Sequence, residues 1–361
     1  MPRFSLQLSD SLTLHVDGEE RQFSPLPHPG APSQVHAMEG GRAFVYHLKE
    51  YLGRTDAEYA FKVMKAPYRD ASLVDICATL DSLKARRGLM VCERLCLSPA
   101  RAAETLQDFP GLAYSILMPW VKGSTWYDVL SHARQGASGL GQDRARSLAL
   151  QLASILSGLE ADGMAHCDLS AGNILTDTTA LTVELIDVED FFIPGARPPV
   201  AIPAGTAGYQ HRVSDQGQWN ACADRFAAAI LLSEMLGWYD DRVRAECYGE
   251  TFFDPLELQE PSSLRYPILR EAVRRQSSAA ADLLDEAWRS PRLEDCPPLA
   301  RWLAACRGFD FKPLIAKGPP AQPKVTWKQP LSAAKPQGAA GPVAGWKGGL
   351  SGGSGKQDPN V

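Results

Sequence analysis

The chain has 361 residues, of which 45% are hydrophobic and 22% charged, a composition typical of a globular protein with one large or two ordinary domains. No apolar run reaches the roughly 18 residues that a membrane-spanning helix needs, and the first residues lack the apolar core of a secretion signal. A cytoplasmic location without a membrane partner is therefore expected. Residues from Lys312 to Val361 carry a net charge of +6 within a total of −5, which leaves an acidic remainder and argues against a dedicated nucleic-acid-binding protein.

The eight cysteines are scattered along the chain, and no two of them form a Cys-x-x-Cys pair. Eight is a low number for a disulfide framework in a chain of this length, and the spacing typical of metal ligands is absent. The cysteines are therefore predicted to be reduced and to serve as small buried apolar residues.

Residues 1–33 are predicted to form a β-hairpin and a linker. The alternating stretch FSLQLSDSLTLHVDGEERQF turns at DGEE, and the Pro-, Gly- and Ser-rich stretch SPLPHPGAPS follows it. Residues 34–123 then contain several strand-like stretches and one helical pattern, with leucine and isoleucine at helical spacing over residues 71–87. This part of the chain predicts a small β-rich lobe.

Residues 124–311 change to a helical period. The stretch DRARSLALQLASILSGLEADG predicts an amphipathic helix of about five turns. Four later stretches predict further helices, namely ADRFAAAILLSEMLGW, YPILREAVRRQ, AAADLLDEAWR and PPLARWLAAC, whereas LTVELIDV predicts an apolar strand. The predicted fold class is therefore α+β, with a small β-rich lobe followed by a larger α-helical lobe.

Residues 312–361 contain nine glycines and eight prolines and are predicted to be a disordered tail, because such a composition buries too little apolar surface to offset chain entropy. The pattern Trp-Lys-x-x-Leu occurs twice in this tail, beginning at Trp327 and at Trp346. Two large apolar anchors in a basic tail are consistent with a docking motif for a partner protein. The alternative is a coincidence in a segment of low complexity.

One polar stretch, AHCDLSAGNIL, lies between a predicted helix and a predicted strand. It offers Asp168, which could accept a proton from an acceptor hydroxyl, and Asn173, which could hold Mg²⁺. Asp187, at the end of the following apolar strand, is a natural second metal ligand. Phosphoryl transfer needs cations held by oxygen ligands and an acceptor placed in line, so these residues suit that chemistry. Aspartate and asparagine are also common in turns, so a polar turn without function is the alternative.

The order and spacing of these residues resemble the eukaryotic-like protein kinase superfamily, and the resemblance covers residues 34–306. The kinase catalytic loop reads H-R-D-L-x-x-x-N and is followed by D-F-G. His166, Asp168, Leu169 and Asn173 stand in the same register, and IDVED stands where D-F-G would be. The resemblance implies a bilobal kinase fold with Asp168 as catalytic base and with Asn173 and Asp187 as Mg²⁺ ligands. It is greatest to a divergent group of bacterial kinase-like proteins.

Further matches lie upstream. AFK resembles the A-x-K of the third kinase strand, so Lys62 is expected to bind the α- and β-phosphates of ATP. Asp81 lies about where the helix carboxylate that pairs with this lysine is expected. MEGGRAFVY is similar to a glycine-rich phosphate loop, with Gly40 and Gly41 kept and Ala43 in place of the third glycine.

The resemblance also implies an adenine site. LMPWVKG is similar to the segment that joins the two kinase lobes, so Pro119 C=O and Val121 N–H would meet the adenine edge. The side chains that would enclose the adenine ring are Val45, Ala60 and Leu175. Asp224, at the start of ADRFAAAILLSEMLG, would brace the backbone of the catalytic loop.

The resemblance implies a serine/threonine protein kinase that uses Mg-ATP and acts on a protein substrate. Departures from the family pattern bear on activity, among them Cys167 in place of an arginine, Ser170 in place of a lysine, and Val188-Glu189 in place of Phe-Gly. Two other functions therefore stay open, a nucleotide-binding pseudokinase that acts as a scaffold and a small-molecule kinase of the same fold. The acidic pair Glu189-Asp190 is expected either to hold a second ion or to form a solvated turn.

Overall fold

The structure is a computed structural model, and it describes residues 4–51, 57–133, 139–199, 202–213 and 217–308. These residues fall in one compact unit and form a mixed α+β fold, as predicted from the sequence. The predicted disordered tail with its two Trp-Lys-x-x-Leu motifs lies outside the described residues. No helix within the described ranges is both long and apolar enough to span a membrane.

The first half of the chain is mainly an antiparallel sheet. The strands of the described residues are β1 (Leu12–Val16), β2 (Glu19–Pro25), β3 (Pro27–His28), β4 (Ala31–Val35), β5 (Ala37–Glu39), β6 (Ala43–Glu50), β7 (Glu58–Met64), β8 (Leu95–Cys96), β9 (Ile116–Pro119), β10 (Ser124–Thr125), β11 (Ile174–Asp177) and β12 (Thr182–Leu185). The main sheet has the order β1-β2-β6-β7-β9-β8, with β5 also paired to β6. Smaller sheets are formed by β10-β11-β12 and by β3-β4.

The predicted N-terminal hairpin is confirmed, and it extends the main sheet. Asp17 and Gly18 connect β1 to β2 with φ angles of +55° and +80°, which suit the tight turn of a two-residue hairpin. Strand β2 then pairs with the end of β6 that β5 leaves uncovered. Strand β2 is therefore part of the main sheet, and the proline-rich stretch itself contains β3 and β4, while the segment boundary predicted at residue 33 stays a prediction.

The second half is mainly helical. The helices of the described residues are α1 (Ser72–Asp81), α2 (Ala103–Asp108), α3 (Trp126–Ala133), α4 (Gln142–Ala161), α5 (Arg225–Gly237), α6 (Asp241–Ala245), α7 (Arg265–Gln276), α8 (Ser278–Arg289) and α9 (Leu299–Arg307). Residues 226–237 of α5 are all buried, which is the pattern of a central helix with neighbours on every side. Helices α4, α7 and α8 pack against it.

Helix α1 packs against the main sheet. Helix α1, which ends six residues earlier than the helical pattern predicted, packs Leu73 and Cys77 against Cys96 and Ile116 of the sheet. None of the eight cysteines, which all lie within the described ranges, is in a disulfide, and seven of them are buried, in agreement with the prediction that they act as small apolar residues.

Candidate active site

The polar loop of the AHCDLSAGNIL stretch is fastened to the central helix through one carboxylate. Asp224, directly before α5, is 3% exposed and accepts hydrogen bonds from the backbone N–H groups of His166 (2.6 Å) and Cys167 (2.9 Å). The ring of His166 is buried, and its Nε2 lies 2.8 Å from the carbonyl oxygen of Ile186. The loop is thus held by α5 on one side and by the segment after β12 on the other, and Asp224 braces it as predicted.

Asp168 and Asn173 lie side by side in this loop. Asn173 Nδ2 donates a hydrogen bond of 2.7 Å to the carbonyl oxygen of Asp168 and lies 3.4 Å from the carboxylate Oδ2. Thr206 Oγ1 donates a hydrogen bond of 3.1 Å to the other carboxylate oxygen, Oδ1. The carboxylate is therefore oriented from two directions, while Asp168 stays half-buried and keeps some contact with solvent.

Asp187 follows β12 and contacts Lys62, which lies on β7. Asp187 has a φ of +59°, in the left-handed region that aspartate adopts more readily than most residues. Its Oδ1 accepts a hydrogen bond from Nζ of Lys62, 125 positions earlier in the chain. The side chain of Asp187 is 50% exposed and that of Lys62 only 11%, so the carboxylate is open to a ligand whereas the lysine is fixed in place.

The carboxylate expected to pair with Lys62 was Asp81, and this prediction is wrong. Asp81 is the last residue of α1, and it pairs at 2.8 Å with Lys84, which follows three residues later on the surface. Glu189, in the turn after β12, pairs with Lys62 instead. Its Oε2 lies 3.0 Å from Nζ of Lys62, and its Oε1 accepts a hydrogen bond of 2.7 Å from Nη1 of Arg94.

The acidic turn after β12 is buried, so the predicted alternative of a solvated turn is wrong. The side chains of Glu189 and Asp190 are only 9% and 12% exposed. Burial alone would raise the pKa of Glu189, but the charges of Arg94 and Lys62 outweigh it and hold this pKa well below its usual range. Burial alone would lower the pKa of Lys62, but Glu189 and Asp187 outweigh it and keep this pKa raised. These groups therefore stay charged although they are largely removed from water.

A second ion pair joins the turn between β5 and β6 to the same segment. Nη1 of Arg42 contacts both carboxylate oxygens of Asp190, at 3.0 and 2.9 Å. The neighbouring Gly40 and Gly41 do not have positive φ angles. A Cβ added to Gly40 would meet only the carbonyl oxygen of Ala43, at 3.6 Å, and one added to Gly41 would meet nothing within 4 Å. The fold itself does not require glycine at either position, and the turn leaves open space beside it.

The three side chains predicted to enclose an adenine ring border one apolar cluster. Ala60 is part of the main apolar core, and the partly buried Val45 and Leu175 pack against that core. Val45 lies opposite Lys62 across the β6–β7 pair. The structure therefore places Val45 next to the predicted phosphate-binding lysine, and Ala60 lies two residues before that lysine on β7.

The backbone groups predicted to meet the adenine edge lie at the end of β9. The N–H of Trp120 donates a hydrogen bond of 2.9 Å to the carbonyl oxygen of Glu58 on β7. Because backbone groups alternate along an extended strand, the C=O of Pro119 faces away from β7. Val121 lies two residues after the end of β9. Strand β8 pairs with only the first two residues of β9, so in the described part of the chain no strand covers this edge.

Asn173 and Asp187 are the residues that could hold a divalent cation. The amide nitrogen of Asn173 is used by the carbonyl oxygen of Asp168, which leaves the amide oxygen as the end for a cation. A hydrogen bond of 3.0 Å from the N–H of Ile186 to the carbonyl oxygen of Asn173 keeps the two segments adjacent. Among the described residues no group of three or more His, Cys, Asp or Glu could hold a metal ion. One carboxylate and one amide fit Mg²⁺, which is often held by one or two protein ligands together with phosphate oxygens and water.

Neither a scan against protein-family models nor a search of curated proteins finds a match for this chain. The structure brings together four polar residues that were predicted, namely Asp168, Asn173 and Asp187 from their residue types and positions, and Lys62 from the family resemblance. It adds three that were not predicted, Arg42, Arg94 and Thr206. Thr206 lies in the stretch AGTAGYQHR, and no local signal distinguishes the two arginines.

Proposed function

We propose that this chain is an ATP-dependent phosphotransferase of the protein kinase type, which transfers the γ-phosphoryl group to serine or threonine hydroxyls of a protein substrate. In this proposal, the β-sheet part and the helical part form the two lobes on either side of an ATP site. The observation that carries the proposal is the contact between Lys62 on β7 and Asp187 after β12, next to the Asp168–Asn173 pair. A cation for phosphates, an oxygen ligand for a metal and a general base are the parts that phosphoryl transfer requires.

In this proposal, residues of the main β-sheet and its turns would bind the nucleotide. Lys62 would place its buried ammonium against phosphate oxygens, and the turn of Gly40 and Gly41 would approach them closely because no side chain fills the space beside it. The adenine ring would lie between the apolar side chains, with its edge at the backbone of Pro119 and Val121. The open edge of β9 supports this arrangement.

The helical side would bind the acceptor and the metal. Asp168 would orient the acceptor hydroxyl and take up its proton. A hydroxyl already donates to this carboxylate, from Thr206 at 3.1 Å, and an acceptor hydroxyl would reproduce that arrangement. Asn173 and Asp187 would hold Mg²⁺, which when bound neutralises negative charge on the phosphates.

The test is the intact mass of the purified protein after incubation with Mg-ATP, alone and with casein as a generic acceptor. The Asp187→Asn variant removes the charge of the proposed metal ligand but keeps its size and its tolerance of a left-handed backbone. Asp75→Asn, on the exposed face of α1, is the matched control. Wild type and control should gain phosphoryl groups or phosphorylate casein, and Asp187→Asn should do neither.

Transfer by Asp187→Asn at the wild-type rate would contradict the proposal. Mg-ATP binding without transfer to the chain or to casein would instead favour the nucleotide-binding scaffold. The departures at Cys167 and Ser170 are the sequence features that agree with this second function.

A further inference from the structure

Lys62 is held by two carboxylates that come from a single four-residue turn. Asp187 accepts its hydrogen bond, and Glu189 lies at 3.0 Å from the same Nζ atom. Helix α1 supplies neither partner, because its terminal Asp81 is engaged by Lys84 on the surface. Both carboxylate partners of the lysine therefore come from the turn after β12, and neither comes from helix α1.

Glu189 is in turn fixed by a cation inside the protein core. The side chain of Arg94 is 0% exposed, and its Nη1 donates the hydrogen bond of 2.7 Å to Glu189. Its Nε donates to the carbonyl oxygen of Val91 at 2.7 Å, and its Nη2 lies 3.6 Å from the sulfur of Met118. A buried guanidinium with these contacts has little freedom to move, so it fixes the position of the Glu189 carboxylate.

The chain of contacts from Arg94 through Glu189 to Lys62 alternates in charge. Removing Glu189 would leave the buried Arg94 charged and without a carboxylate partner, which is costly. Such an arrangement contributes little net stability compared with apolar side chains of similar volume. Its presence beside a proposed phosphate-binding lysine therefore calls for a functional explanation, which is the geometry that it imposes on Nζ.

We propose that Glu189 and Arg94 are positioning residues that hold Lys62 on the nucleotide phosphates, in place of a carboxylate on helix α1. The inference rests on the proposed function, since it assumes that Lys62 binds phosphate. It has one mechanistic consequence. The phosphate-binding lysine and the metal-binding Asp187 are fixed to the same turn.

The test compares Mg-ATP affinity, KM and kcat in four proteins, with affinity measured by displacement of a fluorescent ATP analogue. Glu189→Gln should weaken binding and lower kcat/KM by about 10- to 100-fold, the usual effect of losing a residue that orients a ligand-binding side chain. Asp81→Asn, at the rival position that the structure places outside the site, should stay within about twofold of wild type in both quantities.

The double variant Arg94→Met with Glu189→Gln separates positioning from stability. Removing both buried charges should restore the thermal unfolding temperature towards wild type, because no unpaired charge remains. Mg-ATP affinity should stay as low as in Glu189→Gln, since Lys62 has lost one of its two carboxylate partners. Affinity that recovers together with stability would overturn the inference, and so would an effect of Asp81→Asn as large as that of Glu189→Gln.

The two proposals fail in different ways. A wild-type protein that binds no Mg-ATP would overturn the proposed function and this inference together. A wild-type protein that binds Mg-ATP, with a Glu189→Gln variant that binds it equally well, would overturn only the positioning role.

Discussion

The least expected single residue of the helical part is a buried acid. Glu234 in α5 is 0% exposed, and its carboxylate accepts hydrogen bonds from Nε1 of Trp126 at 2.9 Å and from the hydroxyl of Tyr209 at 3.2 Å. The backbone N–H of Phe252 also donates to Oε1 of Glu234, at 3.3 Å. Burial raises the pKa of Glu234 to about 7, although these donors favour the charged form. One carboxylate thus joins helices α3 and α5 to the segment that contains Tyr209.

This pKa predicts how stability depends on pH. The pKa of the folded state, about 7, lies above the ordinary value of 4.5, so the contribution to stability is fully present below pH 4.5 and is lost as the pH rises to about 7. The difference in unfolding free energy between wild type and Glu234→Gln should therefore fall by roughly 3 kcal/mol over that range. Urea unfolding of both proteins at several pH values measures it, and a difference that does not change with pH would contradict the assignment.

The site residues that could be predicted from the sequence are those whose spacing is set by regular elements. Asp187 follows the end of an apolar strand, so its place was accessible from a local pattern, whereas Lys62 was identified through the family resemblance of AFK. The partner of Lys62 was not accessible in this way. It depends on which acid of the turn faces inward, and on Arg94, whose local sequence VCERLC does not distinguish it from a surface arginine.

At the scale of elements, the loop that contains Asp168 depends on the central helix. The carboxylate of Asp224 is the acceptor for two buried N–H groups of this loop, those of His166 and Cys167. Cys167 has a φ of +65°, which is uncommon for a residue other than glycine and needs support from its surroundings. Helix α5 is therefore the platform on which the proposed catalytic loop is built.

Asp224→Ala should consequently destabilise the protein, by about 1–3 kcal/mol for each N–H left without an acceptor. Asp224→Asn keeps one acceptor oxygen, so a smaller loss is expected from it. Chemical denaturation measures the stability of both variants, and phosphate transfer to casein measures their activity. An alanine variant as stable and as active as wild type would show that the loop does not need this anchor.

The regular elements were largely predictable because each carries its own periodicity. The pattern of buried Leu12, Leu14 and Val16 in β1 indicates a strand with one buried face. The hairpin joins the main sheet because β2 pairs with the uncovered end of β6. No local sequence pattern contains that information. The short helix α2 and the strands of the proline-rich stretch were missed for a related reason, since their contacts with neighbouring segments stabilise them more than their own sequence does.

At the scale of the whole molecule, the turn after β12 forms ion pairs with three segments that are distant in the sequence. Asp187 binds Lys62 of β7, Glu189 binds Arg94 as well as Lys62, and Asp190 binds Arg42 of the β5–β6 turn. The turn thus connects the sheet to the part of the chain that contains the Asp168 loop. If the proposed function holds, the nucleotide phosphates would occupy the centre of this arrangement, and binding should stabilise the folded protein as a unit.

Mg-ATP should therefore raise the unfolding temperature. A ligand present at 100 times its Kd adds about 2.7 kcal/mol to the free energy of unfolding, which for a chain of this size corresponds to a shift of about 5 °C. Removing Mg²⁺ with EDTA should reduce the shift, because charge on the phosphates would then face Asp187 without a cation between them. Lys62→Met should abolish most of the shift even with Mg²⁺ present. Equal shifts for wild type and Lys62→Met, measured by differential scanning fluorimetry, would place the nucleotide elsewhere on the protein and refute the proposed role of Lys62.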